Sequence, residues 1–468
     1  VTEPVATSDP QNLVIGFLSD PASYGLSDGE VQRVETHCSI VFLVADRAYK
    51  LKRAIRYASL DYTTREFRRQ ACLSELELNR RTAPRIYLDV LAINRDATGA
   101  LAFNGAGPAL DYVVVMRRFA QSDLFDHLAD TGTLTPGLMR MLGESIARFH
   151  AEAEVTPRFG GGDAIRRVIA DNDRELVRVA AALDGAAVGV LSSRTSAALD
   201  QVAALLEQRR ADGKVRRCHG DLRLANVCLY AGRPTLFDCI EFSDEIGCID
   251  VLYDLAFLLM DLHVRGRSDL ANAVFNAYLD HMPETGGLRA MRLFLSLRAA
   301  TRSYALAGGA LRRDNPCQVA RLMTLARCHI DAAIDFLTPH SPVLVLLGGD
   351  AEDRRTEVAS LVAAIAKPPP GARVLHLASS GEAVWREAIA IVEAGCSVVV
   401  EGVFTADTEQ NVLVALPPSV DLRPLWLGAL PAGLTALTWH TLDTGMGTLA
   451  AVASAETLLA AKGAPTVC

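Results

Sequence analysis

Lysine is scarce in this chain: there are five in 468 residues, at positions 50, 52, 214, 367 and 462. No Lys/Arg block makes up for it and the formal net charge is −8, which argues against a dedicated nucleic-acid binder. No uninterrupted apolar run approaches the ~18 residues of a membrane span, so no membrane partner is expected. The opening VTEPVATSDPQ is acidic and polar, unlike the basic-then-apolar start of a secretory signal. The ten cysteines include no C-x-x-C pair. Zinc ribbons and disulfide frameworks need closely paired spacing, so the expectation is reduced, mostly buried thiols, such as Cys239 within TLFDCIEF. Thirty-four glycines and 20 prolines are too few for a collagenous or low-complexity chain. From these absences a soluble, cytoplasmic protein is expected.

What is present is globular. Half the residues are apolar and 22% are charged, and the length suits two or three domains of ~100–200 residues. Residues 39–52 (SIVFLVADRAYKLK) read as two strands joined at Ala45-Asp46-Arg47. A helix follows, with Thr63 and Glu66 as its capping box and Phe67, Leu73, Leu76 and Leu78 as apolar positions up to about Arg81. IYLDVLAI and DYVVVMRRF are further strands. From Thr135, a cap followed by Pro136, the pattern turns helical. It continues so to about 337, interrupted by two short strands near 225–230 and 234–238. After the break Thr338-Pro339-His340-Ser341-Pro342 strands alternate with helices, the pattern of a parallel α/β domain.

The segment CHGDLRLANVCLYAGRPTLFDCIEF, residues 218–242, carries the chemistry. Asp221 lies in a loop, Asn226 follows five residues later, and Asp238 ends a strand twelve residues beyond that. Phosphoryl transfer from ATP needs a carboxylate to orient or deprotonate the attacking hydroxyl, and an amide oxygen and a second carboxylate to hold Mg²⁺ against the phosphates. Asp221 or Asn226 alone would pass for a turn cap, and Asp238 alone for a strand-end carboxylate. Their order and spacing together favour the site. The reaction also needs a cation for the phosphates, and only Lys50 and Lys52 lie on an N-terminal strand. They share one face of it, so periodicity does not choose between them.

The segment resembles the aminoglycoside phosphotransferase family, small-molecule relatives of protein kinases, over roughly residues 30–335. The resemblance implies Asp221 as catalytic base, Asn226 and Asp238 as magnesium ligands, and His219 as a brace for the loop. Asp254, in DVLYDLAFLLMDL, would support that loop. Alignment to the family's third strand favours Lys50 for ATP, paired with a helical Glu, for which Glu75 is first choice and Glu77 second. The competing reading of such a pair is a surface salt bridge. The first hairpin, ETHCSIVF, lacks a glycine-rich loop, so phosphate cradling falls to Thr36, His37 and Ser39. Arg223, where the family often has His, could bind the γ-phosphate or an anionic substrate.

In the second half, VLVLLGGDAEDRRTEV sits where a Walker A loop would, between strand and helix. Framed from Gly349, Arg354 replaces the second glycine and Arg355 the lysine, while Thr356 keeps the hydroxyl. Asp350, Glu352 and Asp353 would repel phosphates, and Glu401 in SVVVEGVF takes the acidic position of a Walker B strand. The whole resembles bacterial proteins that fuse an aminoglycoside-phosphotransferase-like domain to a gluconate-kinase-like P-loop domain, here with a degenerate P-loop. The expected fold class is a two-lobed kinase-like α+β domain over 1–337, then a smaller P-loop-like α/β parallel-sheet domain over 338–468. The expected function is ATP- and Mg²⁺-dependent transfer of phosphate to a hydroxyl of a small molecule. An inactive, nucleotide-binding regulatory module is the alternative. Acidic residues that a cationic acceptor would need are available at 123–130, Asp261 and Asp280.

Overall fold

The computed structural model describes residues 11–27, 29–57, 60–349, 351–377, 382–417, 420–442 and 447–460. Most of the N-terminal stretch read as unlike a signal, and Asp350 of the loop after Gly349, lie outside these. Two compact units divide the chain: Val1–Thr133 with Arg217–Ile249, and Leu134–Arg216 with Asp250–Cys468. Among the described residues no helix is long and apolar enough to cross a membrane.

The first unit is built on an antiparallel sheet. Its strands are β1 (Gln32–Glu35), β2 (Ser39–Val44), β3 (Arg47–Lys52), β4 (Tyr87–Arg95), β5 (Leu101–Phe103) and β6 (Ala109–Arg117), in the order β1-β2-β3-β6-β4-β5. The β-branched and aromatic residues of SIVFLV suit a strand. The turn predicted at 45–47 closes β2 onto β3 with Val44 opposite Arg47. Helix α1 (Gln11–Ser19) packs Val14 and Leu18 into a core with Ile40, Phe42, Leu51 and Val113. Leu51 therefore belongs to that core, and by strand alternation Lys50 and Lys52 face the other way. Neither α1 nor the short strands β1 and β5 is foreseen from sequence, because none carries a strong period.

Helix α2 (Arg65–Arg80) lies where expected, but its cap is Thr64, whose hydroxyl accepts from the Phe67 amide at 3.2 Å. Thr63 instead closes a turn on Asp61, so the T-x-x-E spacing points one residue too early. The helix's buried face also differs from the expected apolar stripe. It carries Arg68, Glu75 and Asn79 beside Ala71, Cys72 and Leu76, while Phe67 is half exposed. A hairpin of β7 (Val227–Tyr230) and β8 (Arg233–Leu236) completes the unit.

The second unit joins a helical body to a parallel sheet. Helix α3 (Pro136–Glu152) starts as predicted, with the Thr135 hydroxyl capping Leu138. α4 (Gly161–Val179), α5 (Gly185–Ala211), α6 (Val251–Val264), α7 (Ser268–His281), α8 (Met291–Ala310) and α9 (Pro316–Phe336) follow. Strands β9 (Val343–Gly349), β10 (Arg373–His376), β11 (Val398–Gly402), β12 (Asp421–Leu427) and β13 (His440–Leu442) form an all-parallel sheet in the order β10-β11-β9-β12-β13. Central β9 is buried throughout, as strands covered on both faces are. The fold class is thus as expected, α+β followed by parallel α/β. The edge at β10 is covered by α7: Asn276 Oδ1 accepts from the Val374 amide at 2.8 Å, and Asn272 Nδ2 donates to the Ala372 carbonyl at 3.0 Å. Asp280 pairs with Arg373 at 2.6 Å. Such side-chain pairing covers the start of an edge that would otherwise invite another strand.

The described cysteines are free thiols. Cys72, Cys218, Cys228, Cys239, Cys248 and Cys396 are buried as expected, but Cys317 and Cys328, on the outer side of α9, are exposed.

The cap assignment is testable by urea unfolding. Thr64→Ala should cost about 1 kcal/mol, and Thr63→Ala, which leaves the Thr64 bond in place, should cost less.

Candidate active site

His219 and Gly220 set the loop that presents Asp221. His219 is fully buried; its Nε2 meets the Phe237 carbonyl at 2.9 Å, so that nitrogen carries the proton and Nδ1 accepts from the Asp221 amide at 3.4 Å. Gly220 has φ +84°, and a Cβ there would lie 2.9 Å from Ile240 and 3.1 Å from the Ile246 carbonyl. Both the left-handed backbone and the close approach require glycine. The Asn226 side-chain nitrogen donates to the Asp221 carboxylate and to its backbone carbonyl, each at 2.8 Å, tying the two ends of the motif together. Asn226 also accepts, through its carbonyl, the Phe237 amide at 3.0 Å. In this way the β7–β8 hairpin returns the chain to Asp238.

The structure brings both lysines to one carboxylate. Lys50 Nζ donates to Glu75 Oε1 at 2.7 Å and to Asp238 Oδ1 at 2.5 Å. Lys52 Nζ donates to Glu75 Oε2 at 2.6 Å and pairs with Glu241. Glu75 is fully buried, while Glu77 points to solvent and takes no part. Lys52 is 1% exposed against 13% for Lys50. Glu241, Tyr62, Tyr87 and Asn79 are site residues that the sequence reading did not name. A signal for Glu241 existed, since two ammonium groups on one strand face need more than one counter-charge.

Burial alone would lower both lysine pKa values, but Asp238 and Glu75 around Lys50, and Glu241 and Glu75 around Lys52, hold them well above the ordinary value. Burial would likewise raise Glu75 and Asp238, yet Lys50, with Lys52, keeps both carboxyls below the usual range.

Arg223 is bidentate on Asp221, with Nε to Oδ1 at 2.8 Å and Nη2 to Oδ2 at 3.0 Å. Ser39 is buried at the start of β2, and its amide is engaged by the Thr36 hydroxyl at 3.0 Å. The Thr36 amide in turn donates to the Ser39 carbonyl, so this turn is closed on itself. A cavity of about 520 Å³ is lined by Lys50, Asp221, Arg223, Asn226 and Asp238, and also by Thr36, His37 and Ser39. Its size is that of a small-molecule cleft (~300–1,000 Å³).

In the second unit Asp254 is buried on α6 and meets His150 Nε2 at 3.1 Å. Asp261 is paired with Arg265 at 3.2 Å. Around the loop after β9, Arg355 Nη1 donates to the Gly349 carbonyl at 2.6 Å, and its Nε lies 3.3 Å from Glu401. The Thr356 hydroxyl donates to Glu401 at 2.9 Å, and His376 Nδ1 lies 2.7 Å from the same carboxylate.

Residues 41–294 match the phosphotransferase enzyme family (APH), and the chain belongs to it. It is 31% identical over 276 residues to the uncharacterized protein Rv2004c of Mycobacterium tuberculosis, a match covering 58% of this chain and 53% of that one. The chain thus spans about half the length of the curated relatives it matches. Among solved structures, it is similar to a Plasmodium vivax ethanolamine kinase (12% identity, TM-score 0.41, 69% of this chain and 90% of that one). It is also similar to a choline kinase from Cryptosporidium parvum (12% identity, TM-score 0.43, 69% and 96%). The family is one of phosphotransferases.

Glu75→Gln removes a buried counter-charge shared by two cations and should destabilise by about 3–5 kcal/mol. Because the Glu75 carboxyl is held low, its contribution is complete above its unfolded value of ~4.3 and disappears as pH falls through the folded one. Raised lysines contribute fully below ~10.4 and lose that only as pH rises through their higher folded values. Urea midpoints between pH 7 and pH 3 should therefore fall less steeply in E75Q than in the parent.

Proposed function

We propose that the chain is an ATP- and Mg²⁺-dependent phosphotransferase acting on a hydroxyl of a small molecule. The observation that carries this reading is that Asp221, Asn226, Asp238 and Lys50 line one cavity. The cavity has two characters: beyond these charged groups it is walled by Val41, Ala48, Met116, Phe119, Leu124 and Phe237. A ligand with a flat apolar end and a polyanionic end, such as a nucleoside triphosphate, matches both.

The residues fit a hard divalent cation. Asp238 is partly exposed toward solvent, and Lys50, itself a cation, sits on its carboxylate. The amide nitrogen of Asn226 is committed to Asp221, which leaves its oxygen for a metal. Asp238, Glu75 and Glu241 outnumber Lys50 and Lys52 by one negative charge. Oxygen ligands of this kind suit Mg²⁺, which when bound would neutralise the phosphates. Asp221 would orient or deprotonate the acceptor hydroxyl. Lys50, the more accessible lysine, would take the α/β-phosphates, with Glu75 aiming it. Ser39 would close the phosphate end through its side chain, its amide being engaged. Arg223 would position Asp221 and meet the γ-phosphate.

One observation favours the alternative of a nucleotide-binding regulatory module: both oxygens of Asp221 are engaged by Arg223. For residues 338–468 we propose a P-loop-like domain without P-loop chemistry. Arg355 lies on the Gly349 carbonyl, and the hydroxyl and carboxylate that would share a metal, Thr356 and Glu401, bond to each other. Residues 1–337 would then be the kinase domain.

Phosphate transfer from ATP should be screened against sugars, polyols, amino alcohols and aminoglycosides, with Asp221→Asn beside the parent. D221N should lose about 10²–10⁴-fold in rate while still unfolding cooperatively. Equal rates refute the assignment of Asp221, and an ATP·Mg²⁺ thermal shift without transfer to any acceptor supports the regulatory module instead.

A further inference from the structure

Asp238 to Glu241 form a turn whose four residues are each tied to a different part of the first unit. The Asp238 amide donates to the Tyr87 hydroxyl on β4 at 3.1 Å, and the Cys239 amide to Asn79 Oδ1 on α2 at 2.9 Å. The Ile240 amide donates to the His219 carbonyl at 2.9 Å. The Glu241 carboxylate receives the Tyr62 hydroxyl at 2.5 Å and the Lys52 ammonium. Asp238 itself has φ +61°, a left-handed conformation that costs a non-glycine residue about 1–3 kcal/mol and persists where its surroundings over-determine it.

The side chains also close a ring. From Asp238 it passes through Lys50 to Glu75, through Lys52 to Glu241, and back into the same turn. Its two lysines are not equivalent. Both line the cavity, as does Glu241, but it is Lys50 that holds the Asp238 carboxylate for which a cation would compete. Lys52 is 1% exposed and joins two buried carboxylates.

We propose that Lys52 and Glu241 are positioning residues for a divalent cation. They hold the 238–241 turn to β3 and α2, so that the Asp238 carboxylate stays aimed into the cavity once Lys50 has exchanged it for the metal. Glu75 keeps its second oxygen on Lys52 throughout, so the turn and the helix remain connected when the first oxygen loses or shifts its partner. Tyr62, donating to the same Glu241 oxygen as Lys52, limits how that carboxylate can rotate. The proposal rests on Asp238 as a metal ligand, and the experiment separates the two.

Mn²⁺ alone is titrated into the full chain and free Mn²⁺ is read by electron paramagnetic resonance, with unfolding temperatures recorded for each protein. Glu241→Gln should weaken Mn²⁺ binding about 10-fold or more, as loss of a partner behind a metal ligand does. Tyr62→Phe should weaken it in the same direction by less, and Lys52→Arg should retain it. Should E241Q fail to fold, Y62F decides by the same criterion. Unchanged Mn²⁺ affinity in the folded variants, with binding lost in Asp238→Asn, overturns the positioning role alone. Undiminished binding in D238N overturns the metal-site reading and this inference with it.

Discussion

A single buried carboxylate, Glu75, with an ammonium group on each oxygen, is the constraint around which the first unit is arranged. Two cations removed from water on one strand face are tolerable only where counter-charges reach them. That requirement turns Glu75 inward on α2, and the same face carries Arg68, paired with Asp111, and Asn79, which holds the Cys239 amide, where an apolar stripe would be expected. It fixes the 238–241 turn as well, since Asp238 and Glu241 complete the neutralisation from the other side. The polarity that makes this interior costly is the same polarity that lines the cavity.

Much of this was legible in the sequence because the signals were local or rare. The strand pair 39–44 and 47–52, the Thr135 cap and the alternation of strands and helices after residue 342 are short-range patterns, and the structure follows them. Lys50 and Lys52 stood out together because lysine is scarce, and only the family resemblance favoured Lys50. The spacing of Asp221, Asn226 and Asp238 pointed to one site because a hairpin of known length returns the chain. What was illegible is long-range polar pairing. Nothing near Tyr87 or Asn79 in sequence shows that their side chains hold the amides of residues 238 and 239. The bidentate grip of Arg223 on Asp221 is equally a matter of rotamers, not of spacing. The misplaced cap at Thr63 shows the limit of a motif that two adjacent threonines can each satisfy.

The second unit shows the same economy with buried charge. Glu401 gathers Arg355, Thr356 and His376 about one carboxylate at the end of a hydrophobic strand. Arg209 is likewise shared between Asp250 and Glu284, with Lys214 on the same glutamate. In each case a buried carboxylate is satisfied by several partners from separate elements, so those elements depend on one another through it.

The asparagine pair on α7 has a practical consequence for anyone dissecting the chain. Cutting before Val343 would strip Asn272 and Asn276 of the backbone they serve and leave the outermost strand of the excised piece with a bare hydrogen-bonding rim. Such a fragment is predisposed to stack rim to rim with copies of itself. The two halves are better handled as one polypeptide than as separable cassettes.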